Sequence, residues 1–246
     1  MRAGNRSFDE LRPIKIKADY LDFAEGSAFI EAGKTKVLAA ASIEDKVPPF
    51  LKNSGSGWVT AEYSMLPRST EKRNVRERAL ARLSGRSQEI QRIIGRSLRA
   101  VTDLILLGER TIILDCDVVQ ADGGTRAAST TAACVALALA FKRMMDKKII
   151  ERMPLKQLVA GISVGIVEGE ALLDLDYEED SKAEIDMNLI ETENGQLVEV
   201  QATAEKKTFS KKELSNLLSL ADKGINEITQ VQRNVLKKKG VILTAK

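Results

Sequence analysis

Between Val118 and Met144 the chain reads VVQADGGTRAASTTAACVALALAFKRM: a β-rich run, two glycines, a threonine and an arginine, then a long stretch of small helix formers. A strand that feeds such a turn and reopens as a helix presents free backbone N–H groups at a positive helix end, the arrangement that receives phosphate or sulfate. Gly123 and Gly124 have no Cβ to obstruct a ligand and take up the positive φ values that the turn requires. Thr125 adds a hydroxyl donor and Arg126 a fixed positive charge. The helix end alone contributes about 0.3 to 2 kcal/mol, whereas millimolar binding takes about 4 kcal/mol. Charge-assisted hydrogen bonds, at about 1.5 to 3 kcal/mol each, supply the difference if Arg126 and a second arginine converge. Arg86, in SGRSQEIQR, is the natural second. Taken alone, the stretch is equally a Gly-Gly helix start with a capping threonine. It is neither a Walker A loop nor a G-x-G-x-x-G fingerprint.

The chain around it reads as one α/β domain spanning residues 1–246. SAFIEAG, KTKVLAAASI and GWVTAEYSML are β-compatible runs, with EAGKTK as a hairpin connection. Leu83, Ile90, Ile94, Leu98, Val101 and Ile105 share one helical face, which predicts a helix from about Gly85 to Leu106. RTIILDCDVV is the next strand, followed by the helix that runs to about Met145. Three strands are predicted within LVAGISVGIVEGEALLDLDYEEDSKAEIDMNLIET and a fourth in GQLVEVQATAE. The last helix opens on a capping box, Ser210 with Glu213. No apolar run reaches the length of a membrane span, and the start lacks the apolar core of a secretory signal. A soluble, cytoplasmic protein is expected.

Histidine is absent from all 246 residues. That excludes histidine-based triads, histidine-bound zinc and imidazole acid–base chemistry. Cys116 and Cys134 lie in apolar runs and read as buried small hydrophobes. Charge is distributed unevenly: Arg68 to Arg99 holds ten basic and three acidic residues, a window of +7 in a chain of net +3. Arg92, Arg96 and Arg99 fall within about 60° of one another on the predicted helix, and Arg82 and Arg86 extend the stripe. From Glu168 to Glu193 eleven carboxylates face one cation, Lys182. Asp174 and Asp176 are expected on one side of a strand, Asp180 in a connection, and Glu184, Asp186 and Asn188 on one side of the next strand. Glu178, Glu179 and Glu184 read as an exposed acidic hairpin. The spacing is not that of an EF-hand, so Mg²⁺ or Mn²⁺ held by one or two carboxylates fits better than calcium.

In this order, GWVTAEYSMLPRST, SGRSQEIQRIIGRSLRA, DCDVVQADGGTRAAS, LLDLDYEEDSKAEIDMN and TFSKKELSNLLSLADKGI closely resemble bacterial ribonuclease PH, over about Arg2 to Val235. The resemblance implies a fold of mixed sheets packed with helices, like the second domain of ribosomal protein S5. It also implies a phosphate-dependent 3′-to-5′ exoribonuclease that trims tRNA precursors, and rRNA as a further substrate, in a homo-hexameric trimer of dimers. By resemblance, phosphate-binding residues fall on Arg86, Gly124, Thr125 and Arg126. The acidic pair for metal and for protonating the leaving 3′ oxygen falls on Asp180 and Asp186. The RNA-binding loop falls on Arg68, Arg73 and Arg76, joined by the helical stripe Arg92, Arg96 and Arg99. Three departures stand out: RAGNR lacks the usual Asp-Gly, and Ala132 and Ala202 replace glycines. The rival readings are a catalytically inactive ring subunit that threads RNA and a hydrolytic metal-dependent nuclease.

Overall fold

The computed structural model describes residues 2–76 and 84–243. Strands β1 (Ile14–Ala18), β2 (Gly26–Ala32), β3 (Thr35–Glu44) and β4 (Trp58–Met65) lead to α1 (Gly85–Ala100) and the single turn α2 (Leu104–Leu107). β5 (Thr111–Gln120) and α3 (Thr125–Asp146) follow, then β6 (Val159–Val167), β7 (Glu170–Leu173) and α4 (Tyr177–Lys182). β8 (Ile185–Thr192), β9 (Leu197–Ala204) and α5 (Lys211–Lys238) complete the order. One sheet runs β1-β2-β3-β5-β4 and the other β7-β6-β8-β9. Every neighbouring pair is antiparallel except β4 and β5, which are parallel. The expected α/β class with mixed sheets and packed helices is what the chain forms.

Composition explains where α3 sits. Its small residues leave no polar face, and seventeen of its 22 residues are buried, as in a helix enclosed by protein all round. It lies on β2, β3 and β5 and reaches β6 of the other sheet. Small side chains set the spacing: a Cβ on Gly26 would overlap the Ala136 carbonyl oxygen, and one on Gly161 would lie 2.8 Å from Ala127 Cα. β6 is covered on both faces, with Ile162, Val164 and Ile166 turned to α5 and Gly161 against α3. Both cysteines are buried as expected, and burial pushes their thiols up.

Several boundaries differ from the sequence reading. β1 was not anticipated; its five residues IKIKA bury only partly and put Lys15 and Lys17 outward on an edge, where lysine blocks further pairing. The helix predicted to Leu106 ends at Ala100, because Asp103 caps a separate turn, accepting from the N–H of Ile105 and Leu106. Ile105, placed on the buried face by periodicity, is therefore 67% exposed, while Ile90, Ile94, Leu98 and Val101 are buried as expected. Leu83, Arg78 and Arg82 lie outside the described residues. The Ser210–Glu213 capping box forms at the start of α5. No helix among the described residues is long and apolar enough to cross a membrane.

The Gly26 contact gives a stability prediction. Gly26→Ala forces β2 away from α3 and costs about 3 kcal/mol, in the upper range for overpacking. Urea unfolding reads it as a lower midpoint at unchanged slope; an unshifted midpoint contradicts the close approach.

Candidate active site

The turn after β5 is built from two directions. Gly123 and Gly124 have φ of 75° and 64°, the left-handed region. Gly123 also rests on the start of α4: a Cβ there would lie 2.6 Å from the Leu175 carbonyl oxygen and 2.7 Å from the Asp176 carbonyl carbon. From the first sheet, Thr35 Oγ1 donates to the Gly123 carbonyl at 2.7 Å and accepts from the Asp122 N–H at 2.9 Å. Thr125 opens α3, and its hydroxyl meets the buried Tyr63 hydroxyl at 2.9 Å. The Arg126 guanidinium donates to Gln201 Oε1, Gln201 Nε2 donates to Glu89 at 3.0 Å, and Glu89 stands 4.0 Å from Arg126. Gln201, on β9, thus aims Arg126. Arg86 lies exposed in the first turn of α1, whose cap Ser84 accepts from the Ser87 N–H.

The acidic segment sorts itself by partner. Asp174 and Asp176 are not on a strand: β7 ends at Leu173, Asp174 turns out at φ 54°, and Asp176 caps α4 in a box with Glu179. Asp174 is taken up by Arg12, whose Nε and Nη2 reach its two carboxylate oxygens at 2.9 and 2.6 Å. Glu179, expected on an exposed hairpin, is buried, because Arg2 and Arg6 pair with it at 2.8 and 3.2 Å. Burial alone would raise the Glu179 carboxyl; the Arg2 hydrogen bond and the N–H of Asp176 outweigh it and hold the carboxyl below its ordinary range. Glu178 and Glu184 pair with Lys182 and Lys207 nearer the surface.

Asp180 and Asp186 form no ion pair within 4 Å among the described residues, though Arg126 acts on both and Arg86 on Asp180 from farther away. Asp180 lies on α4, not in a connecting loop, and Asp186 on β8, as predicted, on the same side as Asn188. Asp186 accepts only from Asn188 Nδ2, at 3.2 and 3.3 Å, among the described contacts. Burial, and then the Asp180 charge, push it up to about 6 against the pull of Arg126. Burial also raises Asp180, opposed by Arg86 and Arg126. The arginines beside the glycine turn therefore act on the acid pair: segments some sixty to a hundred residues apart, by their numbering, share one electrostatic site. Two carboxylates with surplus negative charge suit a hard divalent ion bound by one or two carboxylates and water. No group of three or more His, Cys, Asp or Glu placed to hold a metal occurs among the described residues.

The remaining arginines separate. Arg68, Arg73 and Arg76 are exposed on the segment after β4, which is tied to the glycine turn's approach by Leu66 N–H to Val118 and Ala121 N–H to Ser69 at 3.0 and 2.8 Å. On α1, Arg92 is exposed and Arg96 pairs with Glu199 at 3.1 Å. Arg99 folds back, donating to the Val59 carbonyl at 2.7 Å and lying 4.1 Å over the Trp58 ring. Sequence reasoning missed Arg12, Tyr63 and Gln201. Tyr63 and Gln201 sat within strands predicted from sequence, yet nothing local marks the role of any of the three, since their partners lie 62 to 162 residues away.

The 3′ exoribonuclease family matches this chain twice, its domain 1 over residues 10–142 and its domain 2 over 157–224. A relative from Moorella thermoacetica named Ribonuclease PH is 55% identical over 236 residues, 96% of this chain and 94% of its own. Another of that name, from Syntrophomonas wolfei, is 54% identical over 235 residues, 96% of this chain and 98% of its own. Among solved structures, the Archaeoglobus fulgidus exosome with RNA bound to the active site gives a TM-score of 0.80 at 21% identity, covering 93% of this chain and 91% of that one. That last likeness is one of fold alone.

The acid pair carries its own prediction. In metal-free protein, Asp186 titrates near 6, and Asp180→Asn lowers that midpoint, because removing a neighbouring negative charge favours the ionised form. Carboxyl NMR titration measures it; a midpoint that stays put or rises means the two do not interact.

Proposed function

The chain belongs to the ribonuclease PH family of 3′ exoribonucleases, and on that premise we propose which of its residues carry out the reaction. The activity is phosphorolytic 3′-to-5′ exoribonuclease action on tRNA. Inorganic phosphate, the co-substrate, sits at the start of α3 on the N–H groups of Gly124 and Thr125, between Arg86 and Arg126. One phosphate oxygen attacks the phosphorus of the last phosphodiester. The bond from that phosphorus to the 3′ oxygen breaks, a nucleoside diphosphate leaves, and Asp186 gives its proton to the departing 3′ oxygen. Because a phosphodiester is exchanged for a phosphoanhydride, abundant diphosphate drives the reaction backwards.

The observation that supports this assignment is the close packing of Gly123, in the glycine turn, on Leu175 and Asp176 at the start of the helix that carries Asp180, where Arg86 and Arg126 oppose the effect of burial on Asp180. Tyr63 supports it by fixing the Thr125 hydroxyl from behind. Mg²⁺ or Mn²⁺ would be held by Asp180 and Asp186, and when bound neutralises negative charge on the reacting phosphoryl group. RNA is gripped by Arg68, Arg73 and Arg76, with Arg92 and Arg96 from α1. Arg99, spent on Trp58 and Val59, belongs to the fold more than to RNA. With aromatic residues at 4%, backbone charge dominates binding, which gives weak sequence preference and strong salt dependence. We further read the chain as one folding unit, since α3 is buried against both sheets, acting in the cytoplasm as a homo-hexamer, a trimer of dimers, on tRNA precursors. The threading subunit is the weaker reading, because such a role needs no buried carboxyl raised toward the range of a proton donor, as Asp186 is.

One assay tests the reading: 3′-labelled RNA with Mg²⁺, with and without phosphate. Diphosphate formed only with phosphate is expected; monophosphate formed without it indicates hydrolysis, and no release indicates a passive subunit. Arg126→Ala lowers kcat/KM for phosphate by about 10² to 10³ with RNA affinity retained, and Arg73→Ala does the reverse. Equal effects on both ligands contradict this division. Asp186→Ala abolishes turnover while circular dichroism stays native, and retained activity removes it from the site.

A further inference from the structure

The two halves of the proposed site come from different sheets. The glycine turn follows β5 of the first, and Asp180 and Asp186 belong to the second. Phosphoryl transfer tolerates little error in their separation: a misplacement of 1 Å costs on the order of 10²-fold. Something must set that separation, and one buried side chain touches both halves.

Arg12 precedes β1 and is 6% exposed. Its backbone N–H and Nε donate to Asp174 Oδ2 at 2.8 and 2.9 Å, and Nη2 donates to Oδ1 at 2.6 Å. The remaining arm, Nη1, donates to the carbonyl of Asp122, the residue that leads into Gly123. Nη2 also lies 3.2 Å from where a Gly124 Cβ would be. On the other side, Asp174 is two residues from the cap of α4, and the Asp176–Glu179 box, itself clamped by Arg2 and Arg6, makes that turn rigid up to Asp180. A planar guanidinium whose Nε, Nη1 and Nη2 are all engaged and which is mostly buried is held to a narrow range of geometry.

We propose that Arg12 is a positioning residue for phosphorolysis, setting the distance between the phosphate turn and the acid pair by bridging the Asp122 carbonyl and the Asp174 carboxylate. Its guanidinium is taken up by the Asp122 carbonyl and the Asp174 carboxylate. Its effect is on how well bound phosphate is presented to the acid pair, and it rests on the assignment of phosphate to the Gly124–Arg126 turn.

Arg12→Lys keeps the charge and loses the fork, so a loss in this variant reports geometry. Steady-state kinetics in phosphate, and RNA affinity without phosphate, are measured for it, for Asp174→Asn, and for Phe141→Leu. The last is a core change about 24 Å along α3 from Thr125 that lowers stability without touching the bridge. Arg12→Lys and Asp174→Asn are expected to lower kcat/KM for phosphate by about ten- to a hundredfold, with RNA affinity within about twofold and Phe141→Leu unchanged in both. Phosphate kinetics within about twofold of the parent in either folded bridge variant overturn the proposal. So does an equal loss in Phe141→Leu, which reduces the effect to stability, or an equal loss of RNA affinity. A parent protein that releases no diphosphate overturns the phosphate assignment itself; a phosphorolytic parent with unaffected bridge variants overturns only the role of Arg12.

Discussion

The girth of α3 decides how the rest of the molecule is placed. Ala, Ser and Thr let backbone approach backbone, so the helix fits between β2 and β6 with glycines at the tightest points, Gly26 and Gly161. Larger side chains would bury more apolar area but hold the sheets apart. Two of its polar residues are taken up locally: the Thr130 hydroxyl bonds back to the Arg126 carbonyl at 3.0 Å, and Thr131 accepts from the Gly161 N–H at 3.2 Å. Because the helix is enclosed, its N-terminus is delivered to the seam where the second sheet presents α4.

At that seam, charge is selected by compensation. The acidic segment looks uniform in sequence, yet the fold neutralises most of it. Asp174 meets Arg12, Glu179 meets Arg2 and Arg6, and Asp176 caps a helix. Buried pairs of this kind are sustained only when their hydrogen bonds are complete, and the Asp174 and Glu179 carboxylates are each satisfied from two or more directions. Asp180 and Asp186 have no such ion pair among the described contacts; burial raises both carboxyls, and the Asp180 charge raises Asp186 further. The fold thus leaves this pair less fully compensated than Asp174 or Glu179.

The arginines are sorted by the same rule. Arg99 is absorbed by a ring and a carbonyl, Arg12 by the bridge, and Arg126 by Gln201, which holds it in place without cancelling its charge. Arg68, Arg73, Arg76 and Arg92 keep solvated heads at the surface. In the proposed function a polyanion meets the second group, and a small anion in the glycine turn meets Arg126 and Arg86.

Local chemistry was written in the chain itself. The α/β class, the strand–glycine–helix unit and the capping box at Ser210 follow from periodicity and turn residues, since each depends on neighbours within a few positions; Arg86, Thr125, Arg126 and Asp186 were singled out by motif and resemblance. The break after Ala100, the helical setting of Asp180, the burial of Glu179 and the bridge through Arg12 did not follow from either. Each of these depends on partners brought close only by folding: the Thr102–Leu155 contact beyond α1, and Arg2, Arg6 and Arg12 against a segment more than 160 residues away. Sequence alone determined which groups are present near the glycine turn and in the acidic segment. Tertiary structure decided which of those carboxylates are paired, because pairing is a matter of distance in space and leaves no periodic trace along the chain.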